Sequence, residues 1–158
     1  MADLGAHTRL PGAWLLISWQ IFDEKGPAFS EPFGPHPKGL LQYTADGWMS
    51  AAIGRADRPA LPAGISPRRM SPALLADAWL SYFHYAGRWR IEGDCVIHSV
   101  TQSLNPNMVG TEQVRHMHFD RARLTLTGFE NVGQQNRRHV LRWQRAEPST
   151  ETRPGTRP

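Results

Sequence analysis

The chain has 158 residues, the length of a single domain that can bury a core of its own. Hydrophobic residues make up 40% and charged residues 20%, a composition that is typical of globular proteins and excludes a disordered chain. The formal net charge of +4 comes mostly from arginines dispersed along the sequence. Because nucleic-acid surfaces concentrate their basic residues on one face, we expect no nucleic-acid partner.

The cysteine count and the lengths of the apolar runs indicate the cellular compartment and whether the chain enters a membrane. Cys95 is the single cysteine, so it has no internal partner for a disulfide and implies no oxidising compartment. The sequence has no apolar run of signal-peptide length near residue 1 and none of the 18 or more residues that span a membrane. We therefore expect a cytoplasmic protein without a membrane partner.

The first half of the chain predicts three strands and a long loop. Residues 13–22 are apolar and rich in β-branched and aromatic side chains, which favours a buried strand. A Gly/Pro-rich loop follows over 26–38. Residues 39–44 and 48–53 then flank Ala45-Asp46-Gly47, a three-residue hairpin loop with Gly where a left-handed conformation is needed. If Thr44 pairs with Trp48, an apolar face points to the core, made of Leu41, Tyr43, Met49, Ala51 and Ile53.

The second half predicts one helix and then strands only. Ser71-Pro72 is typical of an N-cap followed by Pro at the first helical position, and apolar residues at helical spacing predict a helix over 72–84. Strands are predicted at 86–91, 95–104, 112–119, 122–128 and 138–145. We therefore predict an all-β, antiparallel barrel of about eight strands with one helix covering an end. The barrel spans 12–146, after an arm over 1–11 and before a disordered tail over 147–158.

Several segments resemble one known family. Gly12-Ala13-Trp14 resembles the G-x-W that opens lipocalin barrels. Further segments in the same order resemble the bacterial and fungal lipocalin-like domain family: PFGPHPKG (32–39), YTADGWMS (43–50), YAGRW (85–89), EGDCVIH (92–98) and SLNPNMVGTEQVR (103–115). The resemblance covers about residues 11–145. It implies a barrel, and related barrels serve as small-molecule binders or as cyclases and isomerases in natural-product pathways.

Three histidines raise the question of a metal. If the strands 95–104 and 112–119 pair with Leu104 opposite Glu112, then His98 lies opposite His118 and near His116, a set that can bind zinc. The same spacing arises from alternating polar residues on an outward face, and a one-residue change of register removes it. We expect that no metal and no cofactor is required.

The same strand pair offers polar groups for a ligand. With that register, Thr101, Gln113, Arg115 and Met117 share the other face, where Arg115 can hold a carboxylate or enolate oxygen. Alternatively, Arg115 points to solvent or stacks on a tryptophan. Tyr43 and Tyr85 can donate to a ligand carbonyl or satisfy a partner in the core.

Two functions fit these residues. The first is a cofactor-free cyclase or isomerase for an apolar polyketide- or terpenoid-like molecule, in which orientation and a few donors supply catalysis. Its candidate catalytic residues are Tyr43, Tyr85 and Arg115. Its candidate substrate-binding residues are Trp14, Trp48, Met49, Trp89, Thr101, Gln113 and Met117. The alternative is a lipocalin-like binding protein without turnover. A homodimer is compatible with either.

Overall fold

The computed structural model describes residues 4–23 and 28–148. Helix α1 spans Leu4–Arg9 and helix α2 spans Pro72–Leu80, with 3₁₀ turns at Pro67–Arg69 and Pro106–Met108. The strands are β1 (Gly12–Asp23), β2 (Phe29–Ser30), β3 (Lys38–Tyr43), β4 (Trp48–Gly54), β5 (Tyr82–Glu92), β6 (Cys95–Ser103), β7 (Glu112–Asp120), β8 (Arg123–Val132) and β9 (Gln135–Arg145).

The predicted all-β barrel is confirmed. Each strand pairs antiparallel with its neighbour in the order β2-β1-β3-β4-β5-β6-β7-β8-β9, and β1 also pairs with β9. That last pairing closes eight strands, β1 and β3 to β9, into a barrel. The short strand β2 lies in the segment predicted as loop and adds to β1 through Ile21↔Ser30 and Phe22↔Phe29. Closure removes the two long edges that an open sheet of these eight strands would expose.

The β3–β4 hairpin has the predicted register. Tyr43 pairs with Met49 and Leu41 with Ala51, while Gly47 takes the left-handed conformation with φ +92°. All five residues of the predicted inner face are buried: Leu41, Tyr43, Met49, Ala51 and Ile53. Because side chains alternate along a strand, this register places the polar Gln42 on the outer, exposed face.

One end of the barrel is closed by the start of the chain. Helix α1, which was not predicted, brings Leu10 into the core, where it is fully buried. The Trp14 indole N–H donates to the Leu10 carbonyl at 3.0 Å. The Arg145 guanidinium lies over the Trp14 ring, 3.8 Å from its centroid, and donates to the carbonyls of Pro11 and Arg9.

The helix α2 begins as predicted but is shorter. The Ser71 hydroxyl accepts from the Leu74 N–H, and Pro72 is the first helical residue. The helix ends at Leu80, and Tyr82 and Phe83, predicted to be helical, begin β5 instead because they pair with β4. No residue of α2 is buried, so its apolar spacing does not mark a core-facing side.

Other expectations concern the chain ends and the membrane. Of the predicted tail over 147–158, only residues 147 and 148 are described, and 149–158 lie outside the described residues. No helix within the described ranges combines the length and apolarity that crossing a bilayer requires.

Candidate ligand-binding site

The barrel encloses a cavity of about 590 Å³ that opens to the surface. Its volume is in the range of small-molecule sites. The walls are mostly apolar, formed by Trp19, Leu41, Ala51, Ile53, Phe83, Met108, Leu126, Leu141 and Trp143. Polar side chains also line it: Tyr85, His98, Asn105, Glu112, Gln113, Arg115, His116, Glu130 and His139. An apolar cavity with a few converging polar groups is the usual form of a ligand site.

A buried histidine of the cavity lining links two tyrosines. His98 is 1% exposed, and its Nε2 lies 2.7 Å from the Tyr43 hydroxyl oxygen. Its Nδ1 lies 2.7 Å from the Tyr85 hydroxyl oxygen. Tyr85 and His98 line the cavity, whereas Tyr43 lies behind them in the core. The three side chains therefore form one hydrogen-bonded chain that runs from the core to the cavity.

Which atom donates in each of these two hydrogen bonds follows from the rule that a buried O–H group needs an acceptor. The Tyr43 hydroxyl is buried, and among the described residues His98 Nε2 is its hydrogen-bond partner. If Tyr43 donates to Nε2, then Nδ1 carries the imidazole hydrogen and donates to the Tyr85 oxygen. The Tyr85 proton is then left for an acceptor in the cavity. The opposite direction would leave the Tyr43 O–H buried without an acceptor, which costs free energy.

Burial keeps all three groups neutral. Desolvation, together with a smaller contribution from the positive charge of Arg115, lowers the pKa of His98 to about 3. Desolvation raises the pKa of Tyr85, although the positive charge of Arg115 partly opposes this. Desolvation also raises the pKa of Tyr43 well above its usual value. At neutral pH Tyr85 is therefore a hydrogen-bond donor rather than a base, and His98 is an uncharged relay.

Arg115 supplies the positive charge of the site. Its Nη1 donates to the Val114 carbonyl at 2.9 Å and its Nη2 to Gln113 Oε1 at 3.2 Å. Its proximity to Tyr85 lowers the pKa of that hydroxyl, against the effect of burial. Within the part of the chain that the structure describes, no carboxylate forms an ion pair with it. A cation at a cavity wall without a carboxylate partner favours an anionic or strongly polarised ligand oxygen.

The cavity reaches the surface where β7 and β8 separate. Their hairpin pairs only from Asp120↔Arg123 to His116↔Thr127, although both strands continue beyond that point. In contrast, β8 pairs with β9 along its whole length. The cavity lining crosses from inner to outer side chains at this gap, since it includes the exposed Val114 and Phe129. The gap is therefore one way into the cavity.

A second polar pair lies near this opening. The Trp19 indole N–H lies 3.2 Å from His139 Nδ1, so Nδ1 accepts and Nε2 carries the hydrogen. Nε2 then donates to the Glu130 carboxylate at 3.0 Å. Burial lowers the pKa of His139, and the Glu130 carboxylate opposes that shift. Both ring nitrogens are thus engaged, so this pair shapes the opening rather than offering a free base.

Trp143 offers a further donor. Its side chain is 1% exposed, it lines the cavity, and its indole N–H has no hydrogen-bond partner among the described residues. Buried donors are rarely left unpaired, and such a group at a cavity wall points to a ligand or water oxygen. The cavity thus presents the Tyr85 hydroxyl, the Arg115 guanidinium and this indole N–H.

The predicted register of β6 and β7 is wrong by five residues. His98 pairs with Gln113 rather than His118, and Cys95 pairs with His116. The reason is the connection: the Val100 N–H donates to the Thr111 carbonyl and the Gly110 N–H donates to the Val100 carbonyl, so the ladder begins at Ser99↔Glu112. An odd shift turns one strand face over. His98 therefore points inward, while His116 and His118 are exposed, and the three do not form a cluster.

The structure places the sequence-predicted site residues in three groups. Tyr85, Gln113 and Arg115 line the cavity. Tyr43, Trp14 and Met49 are buried in the core without lining it, and Met117 and Trp89 pack partly buried against that core. Thr101 and Trp48 are exposed: Thr101 lies at the irregularity where Gly87 pairs with Val100, and Arg88 stacks on Trp48 outside.

Sequence reasoning missed several wall residues. His98 was considered only as a metal ligand because the assumed register turned it to the wrong face. Trp143 and Leu126 alternate inward on predicted strands, so that alternation was a usable signal for them. His139 shares the alternating face of Trp143 and carried the same signal, whereas Trp19 follows a register shift in β1 and Phe83 lay in the predicted helix.

A comparison with known families finds one match. A family described as "Lipocalin-like domain" matches residues 11–146, most of the chain. No protein with curated function matches the sequence. A barrel of this kind suggests small-molecule binding.

Proposed function

Because this chain belongs to the lipocalin-like domain family, we propose that its barrel binds an apolar small molecule with a carbonyl or enolate oxygen and isomerises or cyclises it without a cofactor. The observation that carries the proposal is the hydrogen-bonded chain from Tyr43 through His98 to Tyr85. These hydrogen bonds direct the Tyr85 proton toward the cavity. A donor held in place before the ligand arrives polarises a carbonyl without reorganisation.

The chemistry needs few groups. Tyr85 donates to the ligand oxygen, and Arg115 stabilises negative charge that develops there. The apolar walls hold a flexible chain folded, so that its reacting carbon atoms lie close together. A 1,3-dicarbonyl chain suits this site, because such a compound enolises readily and its ring closure needs no strong base. In ring closure the enol carbon adds to a carbonyl carbon, the enol proton passes to that carbonyl oxygen, and water leaves when the ring dehydrates; isomerisation only moves a proton. Neither reaction changes the net oxidation state, so neither requires a redox partner.

The second candidate is a binding protein with the same cavity and no turnover. The apolar walls and the unpaired indole N–H of Trp143 are sufficient for it. The relay through His98 favours the enzyme, because binding alone needs no polarised donor. A polyketide- or terpenoid-like ligand and a cytoplasmic location belong to the same proposal. Neighbouring genes for such a pathway would support them.

Binding is tested with two probes of one shape, 2-acetylnaphthalene and 2-ethylnaphthalene, followed by tryptophan fluorescence. Wild-type protein should bind the ketone roughly 5- to 10-fold more tightly than the ethyl compound. That ratio corresponds to the free energy of about one hydrogen bond. Tyr85→Phe should abolish that preference. Tyr82→Phe is the matched control, since Tyr82 lies outside the cavity beneath Arg58. Equal affinity of wild-type protein for both probes would contradict the donor role.

Turnover is tested separately with a linear aryl 1,3,5-triketone, whose ring closure is followed by liquid chromatography. We expect cyclisation faster than the buffer rate with wild-type protein and slower with Tyr85→Phe. The control is again Tyr82→Phe. If wild-type protein binds the ketone probe but leaves ring closure at the buffer rate, the binding-protein alternative is supported instead.

A further inference from the structure

Three metal-ligating side chains meet on the outer face of the barrel, and one of them, His116, also borders the cavity where β7 and β8 separate. Asp94 lies in the turn between β5 and β6, and Cys95 is the first residue of β6. His116 on β7 is the cross-strand partner of Cys95. The Met117 N–H also donates to the Asp94 carbonyl at 2.8 Å, which ties the turn to β7. The backbone therefore holds a carboxylate, a thiol and an imidazole together.

The distances between the three donor atoms suit a metal. Cys95 Sγ lies 3.3 Å from His116 Nδ1 and 3.4 Å from Asp94 Oδ1, and Nδ1 lies 3.4 Å from Asp94 Oδ2. Sulfur, nitrogen and oxygen ligands bound to zinc at roughly 2.0–2.3 Å in a tetrahedron lie about 3.3–3.6 Å from one another. The sulfur–nitrogen spacing matches two corners of such a site. The carboxylate approaches them through different oxygens, and one donor atom from each of the three side chains lies within 4.8 Å of the others.

The geometry does not fit a nucleophilic triad. In a relay of that kind, histidine uses one nitrogen for the nucleophile and the other for the carboxylate. Here the thiol and the carboxylate both approach the same nitrogen, Nδ1. Three donors that converge on one point share a bound cation more readily than a proton.

The site has room for an ion and its remaining ligand. The His116 side chain is 49% exposed and that of Asp94 is 78% exposed, while Cys95 is partly buried. Solvent can therefore occupy a fourth position. Among the described residues, this is the one group of three His, Cys, Asp or Glu side chains whose donor atoms converge. This group differs from the set that the sequence suggested, which was His98, His116 and His118.

We propose that Asp94, Cys95 and His116 form an exchangeable surface site for a divalent ion of the zinc type, with water as the fourth ligand. The mixed sulfur, nitrogen and oxygen set selects zinc or cobalt over calcium and magnesium, which prefer oxygen ligands alone. Tyr85 and Arg115 are not among the three ligands, so the proposed function does not require the ion, although His116 also borders the cavity.

Cobalt titration tests the site, because a thiolate bound to Co²⁺ gives a near-ultraviolet charge-transfer band. Chelator-treated, untagged wild-type protein should develop this band and saturate near one equivalent. Cys95→Ser should abolish the band, and His116→Gln should weaken Co²⁺ binding by about tenfold or more. His118→Gln is the matched control, an exposed histidine two residues further along β7. It should titrate like wild type.

Zinc should displace cobalt and bleach the band, whereas magnesium in excess should not. No charge-transfer band with wild-type protein would overturn the proposal, and so would equal loss of affinity in His116→Gln and His118→Gln. Tyr85→Phe should bind Co²⁺ normally. The outcome is therefore independent of the ketone-binding experiment.

Discussion

Arg115 occupies the space that a side chain at position 128 would need. A β-carbon on Gly128 would lie 2.7 Å from Arg115 Nη1 and 2.9 Å from its Cζ. Gly128 stands where β8 leaves β7, immediately after the last paired residue, Thr127. The absence of a side chain at this point lets the guanidinium lie in the gap between the two strands. Gly128 therefore positions Arg115 at the cavity wall.

Gly128→Ala tests that relationship. The backbone at Gly128 is not in the left-handed region, so alanine causes no backbone strain, but its methyl group displaces the Arg115 guanidinium. We expect the protein to fold and to lose roughly 5- to 10-fold in affinity for 2-naphthoate, an anionic probe of the cavity. Titration by tryptophan fluorescence measures it. In an Arg115→Met background, Gly128→Ala should have no further effect, and an additive loss would refute the relationship.

Arg115→Ala should weaken binding of the same anionic probe, or turnover if it is found, by about 1.5–3 kcal/mol. Arg115→Lys should restore only part of it, because an ammonium group does not replace the planar fork of donors. Melting should be nearly unchanged, since removal of a cation without a carboxylate partner relieves desolvation. Arg123→Ala, an exposed arginine of β8, serves as the control. Normal binding by Arg115→Ala would show that this guanidinium does not contact the ligand.

His98 should make stability depend on pH. Burial lowers its pKa in the folded state to about 3, whereas the unfolded chain has an ordinary histidine pKa. Between these values the unfolded state binds more protons, so stability is highest above about pH 6.5 and falls as the pH falls toward 3. The slope from this group approaches about 1.4 kcal/mol per pH unit.

His98→Gln should flatten this dependence, because glutamine is not titratable and can still donate to one tyrosine and accept from the other. Urea unfolding between pH 7 and pH 4.5 measures the slope. His118→Gln, which removes an exposed histidine, should keep the wild-type slope. Parallel pH profiles for wild type and His98→Gln would contradict the buried neutral histidine.

Arg145 should stabilise the closed end of the barrel. Its guanidinium stacks on Trp14 and donates to the carbonyls of Pro11 and Arg9, which ties α1 to β9. Arg145→Ala should lower the free energy of unfolding by about 1–3 kcal/mol. Arg142→Ala is the control on the same strand, since Arg142 is exposed and contacts Gln20. Chemical denaturation distinguishes them, and equal stability of the two variants would argue against this role.

Local sequence patterns determined much of the barrel. The turn Ala45-Asp46-Gly47 and the alternation on either side of it predicted both the register of β3 and β4 and the burial of Tyr43. The motif Ser71-Pro72 located the start of α2 but not its end. The helix stops earlier than predicted because Tyr82 pairs with Gly54 of β4. Arg115 was selected as a cavity residue from the chemistry of its strand face, and it does line the cavity.

The site itself depended on contacts between residues far apart in the sequence. The connection between β6 and β7 folds through the bonds of Val100 with Gly110 and Thr111, a backbone arrangement that alternation does not encode. That connection shifted the register by an odd number and turned His98 inward, between Tyr43 and Tyr85. The sequence by itself determined which faces of the strands are apolar, because burial acts on each residue through its own side chain. Only the tertiary structure decided which polar groups meet, because a one-residue change in pairing moves every side chain to the other face of a strand.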